Sequence, residues 1–452
     1  MAIKQLLDFG TSSAFFTFLS QQARSVKFVA QFWVFFFVKY IITIVIILFI
    51  LPGSWLAKIW LGNSSAIAVI ALMAVVFQSD FWTIASQLLE SQRKTIRVQI
   101  LFVITQLIHF GFIFELHYLG IFTVINYLIV IGLLWLIAGA IAVTSYEPVR
   151  ISSSSADKEV FAADYIKYCL PLAPIILLNF TAEFLDKWML QNWGGAKQQA
   201  YFAISVQIAS VSLLITSSFI KVFWKEIAAA LHKGNFQSAL AMYLGARNAI
   251  FYSGVFIAAA CIPWVYEILD LLYGKSYVVA TAPLILLMMY SIHQSIGQVD
   301  SAFLLASGNT SVGFSFNMLF APIGILITYI LLSNSNVLMI GWGLGASGLA
   351  IKMWVTQLIS VNMIGALIQK KFDIKFSYLD QIKVFSVFIL LAVLIKVMLV
   401  AIFPYNNYIF AFGVGLYALS CLFVALVSPR IIALPVNWMQ LIKRHLVYNP
   451  II

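Results

Sequence analysis

Charged side chains are scarce in this sequence, and those that interrupt long apolar runs are the residues able to do chemistry. Lys39, Asp80, Glu183, Asp186, Lys221, Asp300 and Lys352 stand within or at the edge of such runs, accompanied by His109, His293, Gln78, Gln294 and Gln298. A charge at the centre of a hydrocarbon layer costs about 2.5 to 3.5 kcal/mol on insertion scales, so it usually finds a partner, faces a polar cavity or snorkels to the interface. An ammonium group held there attracts anions, and a carboxylate takes up and releases a proton or a cation. Glu183, Asp186 and Lys221 lie near predicted helix ends, where snorkelling alone accounts for them. Lys39, Asp80 and Lys352 are deeper and line a cavity or pair structurally.

His293, Gln294, Gln298 and Asp300 form the densest polar stripe in any apolar run. Residues 294, 298 and 301 fall at i, i+4 and i+7, so Gln294, Gln298 and Ser301 share one helix face with Asp300 displaced to its side. Such a face implies water or a polar substrate, and it equally fits an interhelical hydrogen-bond seam. His109 alone reads as a satisfied interior histidine. GLGASG, from Gly343 to Gly348, matches the dinucleotide fingerprint, but that motif needs a preceding strand and a soluble crossover unit. Here it opens an apolar run, where small residues let helix backbones approach closely. With no Walker lysine motif, ATP is not expected as an energy source. Cys169, Cys261 and Cys421 share no metal-ligand spacing, so neither a metal nor a cofactor is expected. The outermost acids, Glu267 and Asp270, have only Lys275 beside them, which is thin material for catalysis, and no enzyme activity is expected.

The elements that must position these residues are membrane helices. Of the 452 residues, 63% are hydrophobic and 10% charged, and the mean hydropathy is +1.00. A soluble domain carries roughly 25% charged residues, so a water-soluble fold is excluded. Runs long enough to span occur at 28–51, 66–88, 97–115, 120–143, 164–184, 200–222, 242–265, 281–305, 312–333, 340–366, 382–403 and 407–428. Residues 5–20 are a candidate thirteenth span, and 436–446 reads as an amphipathic surface segment. With Arg24 and Lys27 placed inside, alternation puts nineteen basic residues in inside loops, Arg247 among them. Only Lys58, Lys187, Lys197 and Lys275 fall outside. The net charge of +11 is thus a matter of topology, and nucleic-acid binding is not expected. The one long polar stretch, Ser145 to Asp164, divides the spans into two groups. LLESQRKT (Leu88 to Thr95) and LLASGNTS (Leu304 to Ser311) each close one apolar run and open the next. They suggest two related lobes with a substrate path between halves.

Several stretches together resemble the polysaccharide transporter branch of the multidrug, oligosaccharidyl-lipid and polysaccharide (MOP) exporter superfamily, the Wzx-type flippases. LLDFGTSSAFFTFLSQ looks like that family's second helix, LPLAPIILLNFTAEFLDKWML its seventh and GGAKQQAYFAISVQIAS the entry to its eighth. YGKSYVVATAPLILL and SAFLLASGNTS resemble the tenth with its flanks, and GWGLGASGLAIKMWVTQLIS the twelfth. The family's first helix has no counterpart, since Met1 falls just before the second.

The resemblance implies an all-α, polytopic, two-lobed bundle of 12 to 13 helices of the MATE/MOP type. Residues 1–144 form an N-terminal lobe, 145–163 a cytoplasmic linker and 164–368 a C-terminal lobe. Two additional helices then occupy 369–429, and 430–452 form a cytoplasmic tail. It also implies a bacterial inner-membrane flippase for undecaprenyl-pyrophosphate-linked repeat units of O-antigen or capsule, working beside a polysaccharide polymerase and chain-length proteins. On that reading Lys39, Lys221, Lys352, His293, Gln294 and Gln298 would meet the headgroup, and Asp80, Glu183 and Asp300 would couple to ions or protons. The alternatives are a cation-coupled small-molecule antiporter of the same superfamily and a membrane polysaccharide polymerase.

Overall fold

The computed structural model describes residues 26–50, 64–92, 94–147, 173–213, 234–307, 310–334, 341–373, 378–403 and 409–427, with isolated positions between these segments. Among these residues the regular structure is helical, apart from a single isolated bridge between Asn334 and Trp342. The chain divides into two compact units, Met1–Phe180 and Thr181–Ile452. Among the described residues, eight helices are long and apolar enough to cross a membrane, and Met318–Leu332 and Ile409–Phe423 are shorter apolar helices. These ten coincide with ten of the twelve expected spans. The remaining two, 164–184 and 200–222, fall partly on one long helix and partly outside the described residues, as do most of residues 5–20 and all of 436–446.

The first unit contains α1 (Val26–Val45), α2 (Ser65–Ser91), α3 (Thr95–Tyr118) and α4 (Val124–Thr144). α1 runs into a π-turn at Ile46–Ile50, and α2 contains another at Val76–Phe81. Ser64 accepts from the Ile67 N–H at the start of α2, and Thr123 accepts from the Asn126 N–H at the start of α4. These caps satisfy donors that a helix end leaves orphaned. Inward faces carry aromatic and small residues: Trp82, Phe102 and Trp135 cluster, and Gly132 lies against Ala74, where an added Cβ would sit 3.4 Å from its Cα. Outward faces are just as apolar, as Ile100, Val103, Leu107, Phe110 and Phe114 on α3 show. Helices apolar on all sides suit lipid, with every backbone group paired within the helix.

The second unit contains α5 (Ala173–Ala209, which starts eight residues before the unit boundary), α6 (Phe236–Cys261), α7 (Val265–Tyr273), α8 (Thr281–Ala306), α9 (Thr310–Leu332), α10 (Gly345–Phe372), α11 (Tyr378–Ile402) and α12 (Ile409–Val427). α5 breaks at Gly195, whose φ of 69° lies in the left-handed region that glycine adopts at low cost. The Gly194–Gly195 pair suggests a loop, yet helix continues to the break. Lys187 and Lys197, expected in outside loops, are therefore on helix, and Asp186 sits well inside α5 rather than at its end. α6 gives way to a 3-10 turn at Ile262–Trp264, where Pro263 has no N–H to continue the ladder.

GLGASG does what close backbone approach requires. Gly343 and Gly345 have φ of 58° and 54°, and a Cβ on Gly348 would meet the Leu331 carbonyl at 3.1 Å. The Trp342, Gly343 and Leu344 N–H groups donate to the carbonyls of Ile330, Ser333 and Leu331, closing the end of α9. The Gln198 side chain in turn accepts from the Ala346 N–H in the first turn of α10, 2.9 Å away.

Candidate functional site

In the first unit, α1 and α2 bring two of the expected residues together through a third. The Tyr40 hydroxyl donates to Asp80 Oδ2, and both side chains are buried. The Lys39 ammonium lies over the Tyr40 ring, 4.7 Å from its centroid, and also near the Phe35 and Phe36 rings. An ammonium held over aromatic faces is attracted by the ring quadrupoles. Asp80 falls in the π-turn of α2 and meets Tyr40 of α1. His109 is buried, with its ring 5.7 Å from that of Tyr127.

In the second unit, three helices meet at a polar centre. Lys352 Nζ of α10 lies 2.5 Å from Asp186 Oδ2 of α5, while the Thr328 hydroxyl of α9 lies 2.6 Å from Asp186 Oδ1. Lys352 and Asp186 are only 12% and 13% exposed, and Thr328 is fully buried. Gly324, one turn before Thr328, makes room for the lysine: a Cβ there would lie 3.1 Å from Lys352 Cε. On either side of Asp186 on α5, Glu183 and Lys187 form a half-exposed ion pair of 2.5 Å. Carboxylate and ammonium pairs placed on adjacent helices lower the cost of holding charge within a span.

The α8 stripe divides between environments. His293 lines a cavity of about 680 Å³ with Trp354, Asn362, Gln381 and Phe385, and its Nδ1 is 2.9 Å from the Met289 carbonyl. Gln294 and Gln298 are half-buried and do not line that cavity. Between them Gly297 lets α10 approach, since a Cβ there would meet Gln357 Nε2 and Val361 at 2.9 Å.

Asp300 is not on an open polar face. Its carboxylate is 0% exposed and accepts from Arg247 Nε at 3.1 Å and from the Tyr243 hydroxyl at 2.8 Å. Arg247 is itself 2% exposed, within α6. Its expected place in a cytoplasmic loop is thereby corrected, because the carboxylate supplies the partner that lets a guanidinium remain inside the bundle. Sequence reasoning missed this pair. The usable signal was an acid inside a span, together with Tyr243 and Arg247 at i and i+4 of another. Glu267 and Lys396 were likewise not expected to meet: Lys396 Nζ of α11 lies 2.6 Å from Glu267 Oε1, 2.7 Å from the Pro263 carbonyl and 4.9 Å from the Trp264 ring centroid. Lys221 lies outside the described residues.

Against solved structures, the chain is similar to a lipid II flippase, MurJ, in an inward closed conformation, with a TM-score of 0.67 and 14% identity over 95% of this chain and 90% of that one. The fold is that of the MOP transporters. A MOP superfamily transporter from Pyrococcus furiosus aligns with a TM-score of 0.60 and 15% identity over 82% of this chain and 84% of its own. An outward-facing multidrug resistance MATE transporter of the superfamily aligns at 0.57 and 16% identity over 81% and 85%. No family model and no curated protein sequence matches. Within the MOP fold, the flippase alignment takes in 13% more of the 452 residues than the Pyrococcus one (95% against 82%). That is about 60 residues, enough for two spans and their connection.

Proposed function

We propose that this chain is a flippase carrying undecaprenyl-pyrophosphate-linked oligosaccharide repeat units, precursors of O-antigen or capsule, from the cytoplasmic to the periplasmic leaflet of the bacterial inner membrane. The observation that carries the reading is the likeness to a lipid II flippase over nearly the whole chain. A sugar diphosphate cannot enter hydrocarbon without losing its hydration, so a carrier must offer cations and hydrogen-bond donors within the membrane. Lys352 and Lys39, with Lys221, take the role of attracting the diphosphate; Gln294, Gln298 and His293 take the role of meeting sugar hydroxyls. Asp80 and Glu183 take the role of ion or proton coupling. Asp300, sealed against Arg247, takes a structural role instead of the coupling role that its sequence position suggests. A polysaccharide polymerase and chain-length proteins would receive the product.

Complementation tests this. In a strain lacking the gene, expression of the chain should restore the surface polysaccharide ladder and clear accumulated lipid-linked repeat units. A second reading, a cation-coupled antiporter, is favoured by the buried Asp80 carboxylate in the first unit and by the MATE likeness. Unrestored ladders with altered drug susceptibility would select it and reject the flippase.

A further inference from the structure

Lys352 does not wait with an open ammonium for an anion. Its Nζ is already 2.5 Å from Asp186 Oδ2, and the other oxygen of that carboxylate takes the Thr328 hydroxyl at 2.6 Å. A carboxylate bound by an ammonium and a hydroxyl is held by the same donors that bind a phosphoryl group, since both ligands present paired, negatively charged oxygens. The remaining N–H bonds of Lys352 meet no acceptor among the described residues. The lysine lies along the face of α9 that Gly324 leaves bare. α5, α9 and α10 each contribute one partner, so exchanging the acceptor alters what ties these three helices together.

We propose that Asp186 is an internal stand-in for the substrate's diphosphate: it occupies Lys352 and Thr328 when the carrier is empty, and yields them to the phosphoryl oxygens when substrate arrives. The inference rests on the flippase reading and adds the device that lets the headgroup leave. An unpaired ammonium within a span is costly to keep and, once it has met a diphosphate, slow to release it. A tethered carboxylate addresses both, because it neutralises Lys352 in the empty state and recaptures it as the diphosphate departs. Glu183, one turn before Asp186 on α5, pairs with Lys187, and Asp186 is the carboxylate in contact with Lys352.

The test uses the full chain in lipid nanodiscs with undecaprenyl diphosphate as the probe. Asp186→Asn should bind it about tenfold or more tightly than wild type, the effect of removing one competitor for a charged donor. Lys352→Gln should bind it more weakly, and the double variant should behave as Lys352→Gln does. In transport assays Asp186→Asn should lower KM and kcat together, which a merely structural role would not do. Thr328→Val, which loosens the carboxylate without removing it, should shift binding in the same direction by less, and it keeps the idea testable if Asp186→Asn fails to fold. Binding by Asp186→Asn or Thr328→Val that is equal to or weaker than wild type overturns the stand-in, even where wild type binds the probe and restores ladders. A wild type that neither binds undecaprenyl diphosphate nor restores ladders brings down the flippase reading itself.

Discussion

Replacing Arg247 by methionine isolates the closed ion pair of the second unit. Methionine keeps most of the packing volume of the arginine stem, so the change removes the charge and the hydrogen bond to Asp300 while leaving much of the packing of α6 in place. What remains is a carboxylate on Asp300 at 0% exposure with only the 2.8 Å bond from Tyr243 on Oδ1. Breaking a buried pair from one side costs about 3 to 5 kcal/mol, because the partner is left as an uncompensated charge. Since both members are at the buried extreme, the upper part of that range is the expectation. Arg247→Met combined with Asp300→Leu removes both charges and should regain at least about half of the loss, since apolar replacement of a whole buried pair is often near neutral. Unfolding in mixed detergent and SDS micelles measures all three proteins on one scale, and ladder complementation reports whether the double variant still transports. A single variant within about 1 kcal/mol of wild type would refute the structural role. So would a double variant as unstable as the single one. A stable double variant without transport would return Asp300 to the coupling set.

Lys396→Gln should loosen α11 by about 1.5 to 3 kcal/mol, the worth of hydrogen bonds to a charged group, and adding Glu267→Gln should restore part of it; SDS unfolding measures both. Gly345→Val should reduce folded protein in the membrane, because φ of 54° costs a β-branched residue about 1 to 2 kcal/mol and its Cβ would displace Gln198 from the start of α10. Size-exclusion profiles after mild detergent extraction would show the loss, and an unchanged profile would reject it. Gly139→Ala should destabilise the first unit by about 1 to 3 kcal/mol, since its methyl group would strike the Phe81 ring, and Phe81→Leu should relieve it.

Hydrophobic length made the helices legible, because a span needs an apolar run whatever it packs against. The glycines at 343, 345 and 348 were legible for a similar reason: small residues at the mouth of an apolar run have few uses other than close approach. Pairings were not legible. Arg247 and Asp300 are 53 positions apart, and Lys396 and Glu267 are 129 apart. For the first pair the local sign is limited to an acid inside one span and to Tyr243 and Arg247 one turn apart on another, and neither sign names its partner. Charge counting placed Arg247 in a loop because an arginine near the end of an apolar run is usually there to set orientation. Asp186 falls just past the apolar run 164–184, which reads as a helix end, whereas the helix continues through polar residues as far as the break at Gly195.

The π-turn from Val76 to Phe81 bears on how this chain compares with others and on how it tolerates lesions. A π-turn is a helix that has absorbed one residue too many and kept going, so its hydrogen bonds reach to i+5 instead of i+4. Removing one residue between Val76 and Phe81 would therefore relax that turn to ordinary helix and leave the ladder on either side continuous. Removing one residue elsewhere in α2 would instead rotate everything beyond it by about 100°. A gap of one position at this point in an alignment would mark a relative that has lost the extra residue. In such a relative the side chain corresponding to Asp80 would point elsewhere.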